Sequence, residues 1–516
     1  MLGIFWTRSK SLLSFSLLFF FTGLIFVGPS WSVTHQSSPS SIAVERILQD
    51  IRELSHPRYA GRQTGTEGGW QSANFVLNRF AALGLKPGES GSADERSSVW
   101  TQQQPVHALK LSPRASMVLS GVNPTQTVRP VELQPGKDFL PILDSLSSKT
   151  RGRVMFAGYG IVDHARGIDH YHGIDVHNRL VLFLRGKPPS YKEWVTHEEK
   201  VAIAKERGAL GYLTATGPLL SHYEARKGLG QRPLAIYSAL PEDNPPIPGA
   251  WVNGETLDRF LRLADFSLEK LQQSANDSKR FQGRPLPILG DLQWESQTES
   301  GMLTNVIGLV EGRDPKLQNE VILIGAHRDH FGHQAGLLFP GADDNASGTA
   351  VLLELARMLS ERPLPPKRTV LFISFDGEER GLLGSTYYVN HPTLSLKRTK
   401  AMVNLDHLGV GDGKLTVGVT RLDKLVVQRA AEAVALSDQV QIYGYFPGGD
   451  HVPFYDAEVP TITVVSSGQH ANFHQPSDTI DFLQPEILET STKFLFSLMT
   501  YLADHPQIRS DPKIAE

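Results

Sequence analysis

Acidic and histidine residues stand just past several short apolar runs. His327 and Asp329 follow Val-Ile-Leu-Ile-Gly-Ala, Asp376, Glu378 and Glu379 follow Thr-Val-Leu-Phe-Ile-Ser-Phe, and Asp406 follows Ala-Met-Val-Asn-Leu. Imidazole and carboxylate are good ligands for zinc. Asp343 lies in Gly341-Ala-Asp-Asp-Asn-Ala-Ser-Gly348, just before a helical run. A helix start needs one Asp or Asn, and Asn345 can do that alone, which leaves Asp343 free for a metal. Its two oxygens could bridge two cations. Of the adjacent pair Glu378 and Glu379, one can bind metal while the other takes a proton from the attacking water. Like charges this close repel, and a bound cation relieves that repulsion. His474 follows the last apolar run by a short loop and could close the coordination of a second metal. Taken singly, each residue has an ordinary explanation as a core histidine, a cap or a solvated acid. Their joint occurrence at the ends of successive apolar runs is what points to a metal site.

Such residues converge only if the runs are neighbouring strands. Strand-like runs at 321–325, 369–375, 401–405, 414–419 and 460–465 alternate with helical runs at 345–359, 422–435 and 485–503. That alternation argues for a mixed, largely parallel sheet sandwiched by helices, an α/β fold. Ligands of such sheets bind beyond the carboxyl ends of the strands. Upstream, helical spacing recurs at 42–54 and 69–83, and strands are expected near 100–111 and 115–119, with a loop at 87–98. From 131 to 285 the character is β-rich, with much Pro and Gly toward its end.

At 516 residues the chain exceeds one hydrophobic core. A net charge of −3 gives no electrostatic footprint for nucleic acid. Cysteine is absent, which excludes disulfides, thiolate ligands and a cysteine nucleophile. Arg8 and Lys10 precede an apolar stretch from Leu12 to Val27, and Ser30 and Ser32 offer small residues for cleavage. Residues 1–32 therefore read as a signal peptide or an N-terminal anchor, and the rest of the chain as exported.

The blocks Gly325-Ala-His-Arg-Asp-His330, Pro340-Gly-Ala-Asp-Asp-Asn-Ala-Ser-Gly348, Phe375-Asp-Gly-Glu-Glu-Arg-Gly-Leu-Leu-Gly-Ser385, Asn404-Leu-Asp406, Gly449-Asp-His451 and Phe473-His-Gln-Pro-Ser-Asp-Thr479 resemble the M28 family of zinc peptidases, in the family's order. The resemblance implies two zinc ions per chain and a zinc-exopeptidase-like fold. It casts Asp343 as the bridging carboxylate. His327 with Asp406, and Glu379 with His474, would complete the two sites. Glu378 would be the general base, and Asp329 the acid that orients the histidine ligand. Asp450 and His451 match a further block near the site. Phe156-Ala-Gly-Tyr-Gly-Ile161, Gly173-Ile-Asp-Val176 and Lys205-Glu-Arg-Gly-Ala209 resemble the protease-associated (PA) domain inserted in many such enzymes. The chain then divides into the leader or anchor at 1–32, an N-terminal part of the peptidase domain at 33–130, a PA-like insert at 131–285 and the catalytic domain at 286–510. The position of the insert marks it as a candidate lid or substrate guide. Its histidines, His164, His170, His172 and His177, fall where no ligand is implied. One departure concerns the tetrahedral intermediate: no tyrosine lies between Thr461 and His474, where some relatives place one, so His470 or a residue elsewhere would have to steady it.

The expected activity is an aminopeptidase acting on peptides. The rivals are a carboxypeptidase of the glutamate-releasing kind, a single-zinc glutaminyl-cyclase-like transferase, and a receptor on this fold that has lost its metals. The full ligand set argues against the last two.

Overall fold

The computed structural model describes residues 41–508 apart from 89–99, 123–128, 239–243, 264 and 278. The leader or anchor read over 1–32 lies outside the described residues, as does most of the loop read over 87–98. Among the described residues, no helix is long and apolar enough to cross a membrane. The described residues cluster as one compact unit built on two large sheets.

The nine-stranded sheet contains the apolar runs. Its centre is four parallel strands in the order Thr369–Phe375, Val321–His327, Thr399–Leu405 and Thr461–Ser466. The first two are buried along their whole length, as expected for parallel strands covered on both faces. On one face they pack under the helices Val44–Leu54, Gly348–Ser360 and Pro485–Asp504, through residues such as Ile51, Leu352 and Leu498. On the other face Leu323, Leu371 and Met402 meet Tyr388 and Phe454. Each such side chain withdrawn from water stabilises by about 1.5–3 kcal/mol. The strands therefore form a rigid floor, and their carboxyl ends share one rim.

Two elements escape the apolar-run reading. Ser296–Val310 is a fifteen-residue strand pairing antiparallel with Thr101–Leu111, and its first half is mostly exposed. Leu383–Asn390 is a helix that starts within Gly-Leu-Leu-Gly. Gly384 is required there, because a Cβ would lie 2.1 Å from the Asp376 carbonyl oxygen.

The second sheet has eight strands. It draws in Ser116–Gly121, which pairs antiparallel with Arg284–Trp294. Its strands thus extend past 131–285 at both ends, because one neighbour of the closing strand comes from upstream. In this module His170 is buried, and its Nδ1 accepts from the Tyr159 and Ile161 amides at 3.2 and 3.3 Å. His164, His172 and His177 are exposed.

Candidate metal centre

The parallel strands deliver their acids and histidines to one place. His327 ends its strand, Asp406 follows Thr399–Leu405, and Glu378 and Glu379 follow Thr369–Phe375 by a short turn. His474 comes from the loop after Thr461–Ser466. Asp344 comes from a single wide turn, Ala342–Ser347, ahead of the helix Gly348–Ser360.

The contacts fall into two sets. His327 Nε2 lies 3.5 Å from Asp344 Oδ1 and 3.3 Å from Asp406 Oδ1. His474 Nε2 lies 3.2 Å from Asp344 Oδ2 and 3.5 Å from Glu379 Oε2. A tetrahedral ion with ligands at about 2.0–2.2 Å holds its ligand atoms about 3.3–3.6 Å apart. Both sets lie close to that spacing, and Asp344 gives one oxygen to each. His327 Nε2 and Asp406 Oδ1 are buried and make no hydrogen bond, a costly arrangement that a cation would satisfy.

The geometry differs here from the expectation from sequence: Asp344, rather than Asp343, faces both pairs. Asp343 is turned away by its own contacts. Its Oδ1 accepts from the Gly409 amide at 2.8 Å, and its Oδ2 sits 2.7 Å from His470 Nδ1. Asp343, His407 and His470 form a further cluster, as do His330, Asp344 and Glu379. In each, one pair is too close for two ligands of one ion: 2.7 Å for Asp343 with His470, and 2.6 Å for His330 Nδ1 with Glu379 Oε1. Those are hydrogen-bond lengths. His330 braces Glu379, and Asp343 braces His470.

His470 is thereby accounted for. Its Nδ1 meets Asp343 and its Nε2 lies 3.2 Å from the Ser466 carbonyl, so neither ring nitrogen is left for an intermediate. Asp376, although it stands at a strand end, faces Thr64 Oγ1, the Thr304 amide and Arg328 Nη2 instead. Asp450 and His451 are buried at the start of the helix His451–Asp456, where His451 Nε2 meets the Phe446 carbonyl at 2.9 Å.

Several further groups hold these side chains in place, and only some of them stood out in the sequence. Asp329 Oδ1 and Oδ2 accept from the amides of Glu378 and Glu379 at 3.1 and 3.3 Å, and its carbonyl lies 3.3 Å from His327 Nδ1. One residue thus fixes both the histidine and the glutamate turn. Asp478 accepts from the Asp343 and Asp344 amides at 2.9 and 3.0 Å, which sets the direction of the two aspartates. Arg62 is fully buried and donates to the carbonyls of Leu54, Arg328, Pro340 and Gly341 at 2.6–2.8 Å. An unsatisfied buried polar group costs about 1–3 kcal/mol. Arg62→Met is therefore expected to destabilise the protein by at least ~3 kcal/mol in urea unfolding; a change within ~0.5 kcal/mol would contradict this role.

The electrostatics follow from so many acids in one pocket. Burial pushes Glu378 well above the usual carboxylate range; Asp450, Asp406 and Asp344 push it further, against His327. Burial also raises Glu379, with Asp344 and Glu378 adding to it. For Asp344 burial acts upward as well, yet His407, His474 and His330 outweigh it and hold the carboxyl well below its usual value. His407 rises to about 10, because Asp406, Asp344 and Asp343 overcome its burial. Divalent cations relieve the same repulsion that protons relieve here.

Residues 305–499 match the model of Peptidase family M28. The chain carries an M28 peptidase domain. The site residues from His327 to His474 all fall inside it. Aminopeptidase YwaD of Bacillus subtilis is 32% identical over 196 residues, 36% of this chain and 41% of that protein. A probable glutamate carboxypeptidase of Arabidopsis thaliana, AMP1, is 25% identical over 75% of this chain and 54% of its own length. In each of these curated relatives the match spans less than two thirds of the relative. The aminopeptidase from Aneurinibacillus sp. strain AM-1 superposes with a TM-score of 0.61 at 21% identity, covering 91% of this chain and 95% of that one. The zinc aminopeptidase BSAP from Bacillus subtilis superposes at 0.59 and 20% identity, over 90% and 96%. At these identities the likeness establishes the fold around the M28 domain.

Proposed function

We propose that the chain is a zinc-dependent exopeptidase that removes N-terminal residues from peptides, with two zinc ions per chain. The observation that carries the two-ion reading is the Asp344 carboxylate, set between the His327–Asp406 and Glu379–His474 pairs. Zinc held by these residues supplies Lewis acidity toward the scissile carbonyl and acidifies the attacking water. Glu378 accepts the proton of that water and returns it to the leaving amine. Asp329 holds the Glu378 amide and His327 in register for this. The printed names of YwaD and of the two superposed structures, all aminopeptidases, support the amino-terminal direction, whereas the name of AMP1 favours the glutamate-releasing rival.

A panel of peptides with free or acetylated N-termini tests the direction. Cleavage that requires the free amine is expected, with loss of at least ~100-fold in kcat/KM on acetylation, about 2.7 kcal/mol. Cleavage indifferent to acetylation but dependent on a free C-terminus would replace this reading with the carboxypeptidase. We also propose that the chain is exported, on its basic start and apolar run at 8–27. Fractionation of expressing cells tests this, and activity confined to the cytosol would reject it. The module of the second sheet is proposed to be a PA-like insert on the sequence resemblance of its pieces. Deleting it and finding unchanged selectivity on peptides of several lengths would count against a role as guide.

A further inference from the structure

His474 occupies the left-handed region at φ 55°. A residue other than glycine rarely stays there unless its surroundings hold it. A histidine that binds metal ordinarily has its other ring nitrogen held by a carboxylate or carbonyl, which fixes the ring. His327 follows that rule through the Asp329 carbonyl. His474 does not: its Nδ1 is buried and makes no hydrogen bond with the described protein. Apart from the contacts of Nε2 with Asp344 and Glu379, its ring is held by packing, stacked on Phe473 at 3.7 Å between centroids and edge-on to Phe331 at 4.7 Å. Phe331 in turn packs on Tyr237 at 5.8 Å.

The backbone of His474 is held from outside the M28 domain. Residues 227–237, which belong to the module of the second sheet, run along the loop 469–475. The Ala235 amide donates to the His474 carbonyl at 3.1 Å, and the His470 amide donates to the Lys227 carbonyl at 2.7 Å. Gln475 Nε2 donates to the Pro233 carbonyl at 2.6 Å, and Arg232 Nη2 to the Ala471 carbonyl at 3.0 Å. These bonds bracket the ligand on both sides. The ring orientation that hydrogen bonding does not set is set by this clamp together with the Tyr237–Phe331 packing.

We propose that the 227–237 segment is a positioning element of the metal centre, fixing His474 for the zinc it shares with Glu379 and Asp344. The inference rests on the reading of His474 as a zinc ligand. It makes the second module part of the metal site as well as a possible neighbour of substrate. Affinity for one zinc, more than affinity for peptide, should then depend on the clamp.

The test uses the full chain with Arg232→Ala and, separately, Gln475→Met, which keeps the shape of the side chain and removes the donor. Zinc affinities come from competition with a chromophoric chelator, and kcat and KM are measured at limiting and at excess zinc. The expected result is one zinc of two bound ~10–100-fold more weakly, the range for loss of a group that orients a metal ligand. At limiting zinc kcat falls, and excess zinc restores it with KM unchanged. Arg232 is exposed, so Arg232→Ala keeps the test open if Gln475→Met fails to fold. Two unchanged zinc affinities in a folded variant would overturn the proposal while leaving the zinc reading intact. A parent protein that binds no zinc would overturn both.

Discussion

Replacing Glu378 with Gln is expected to lower kcat by ~10²–10⁴-fold, the usual contribution of a positioned general base, while the protein keeps its full zinc content. The amide preserves the shape of the side chain and its backbone bond to Asp329, and it removes only the capacity to take a proton. Of the adjacent pair, Glu378 is the acid that enters neither contact set: Glu379 faces His474 and His330, whereas Glu378 lies near His327, Asp450, Asp406 and Asp344 and feels them through their charge. Steady-state kinetics with metal analysis on the same preparation decide the matter. A variant with normal turnover would remove Glu378 from the chemistry. A variant that has also lost zinc would make it a ligand instead.

The second large effect separates two neighbours in the chain. Asp344→Asn is expected to weaken zinc binding by more than ~100-fold and to abolish turnover, because both contact sets lose the same carboxylate. Asp343→Asn is expected to keep both metals, with affinity lower by at most ~10–100-fold, the cost of disturbing an outer hydrogen-bond partner. Its contacts are Gly409, Ser347 and His470. Zinc titration of the two variants side by side reads the difference. The reverse ranking would restore Asp343 as the bridge.

The sequence made the strands legible because parallel strands covered on both faces are unbroken apolar runs, as Val321–His327 and Thr369–Phe375 are. The same fact located the site, since the residues after such runs share one rim. It did not separate Asp343 from Asp344. Both sit in one motif, and which one faces the metal side depends on backbone direction, set from far away by Asp478. Nor did it reveal Ser296–Val310, whose exposed polar half carries no hydrophobic pattern. The limits of the β-rich module were drawn inside its sheet, because Ser116–Gly121 is separated in sequence from the strand it pairs with. Arg62 looks like any surface arginine until the four carbonyls it satisfies come together. His470 had a free-standing appearance in sequence and is bound on both nitrogens in the fold.

The measurement that bears most directly on the centre is an anomalous difference map from zinc-loaded crystals, collected on both sides of the zinc edge. Two peaks about 3.5–4 Å apart, one beside His327 and Asp406, the other beside Glu379 and His474, with the Asp344 carboxylate between them, are the predicted result. A single peak, or a peak within the Asp343, His407 and His470 cluster, would contradict it.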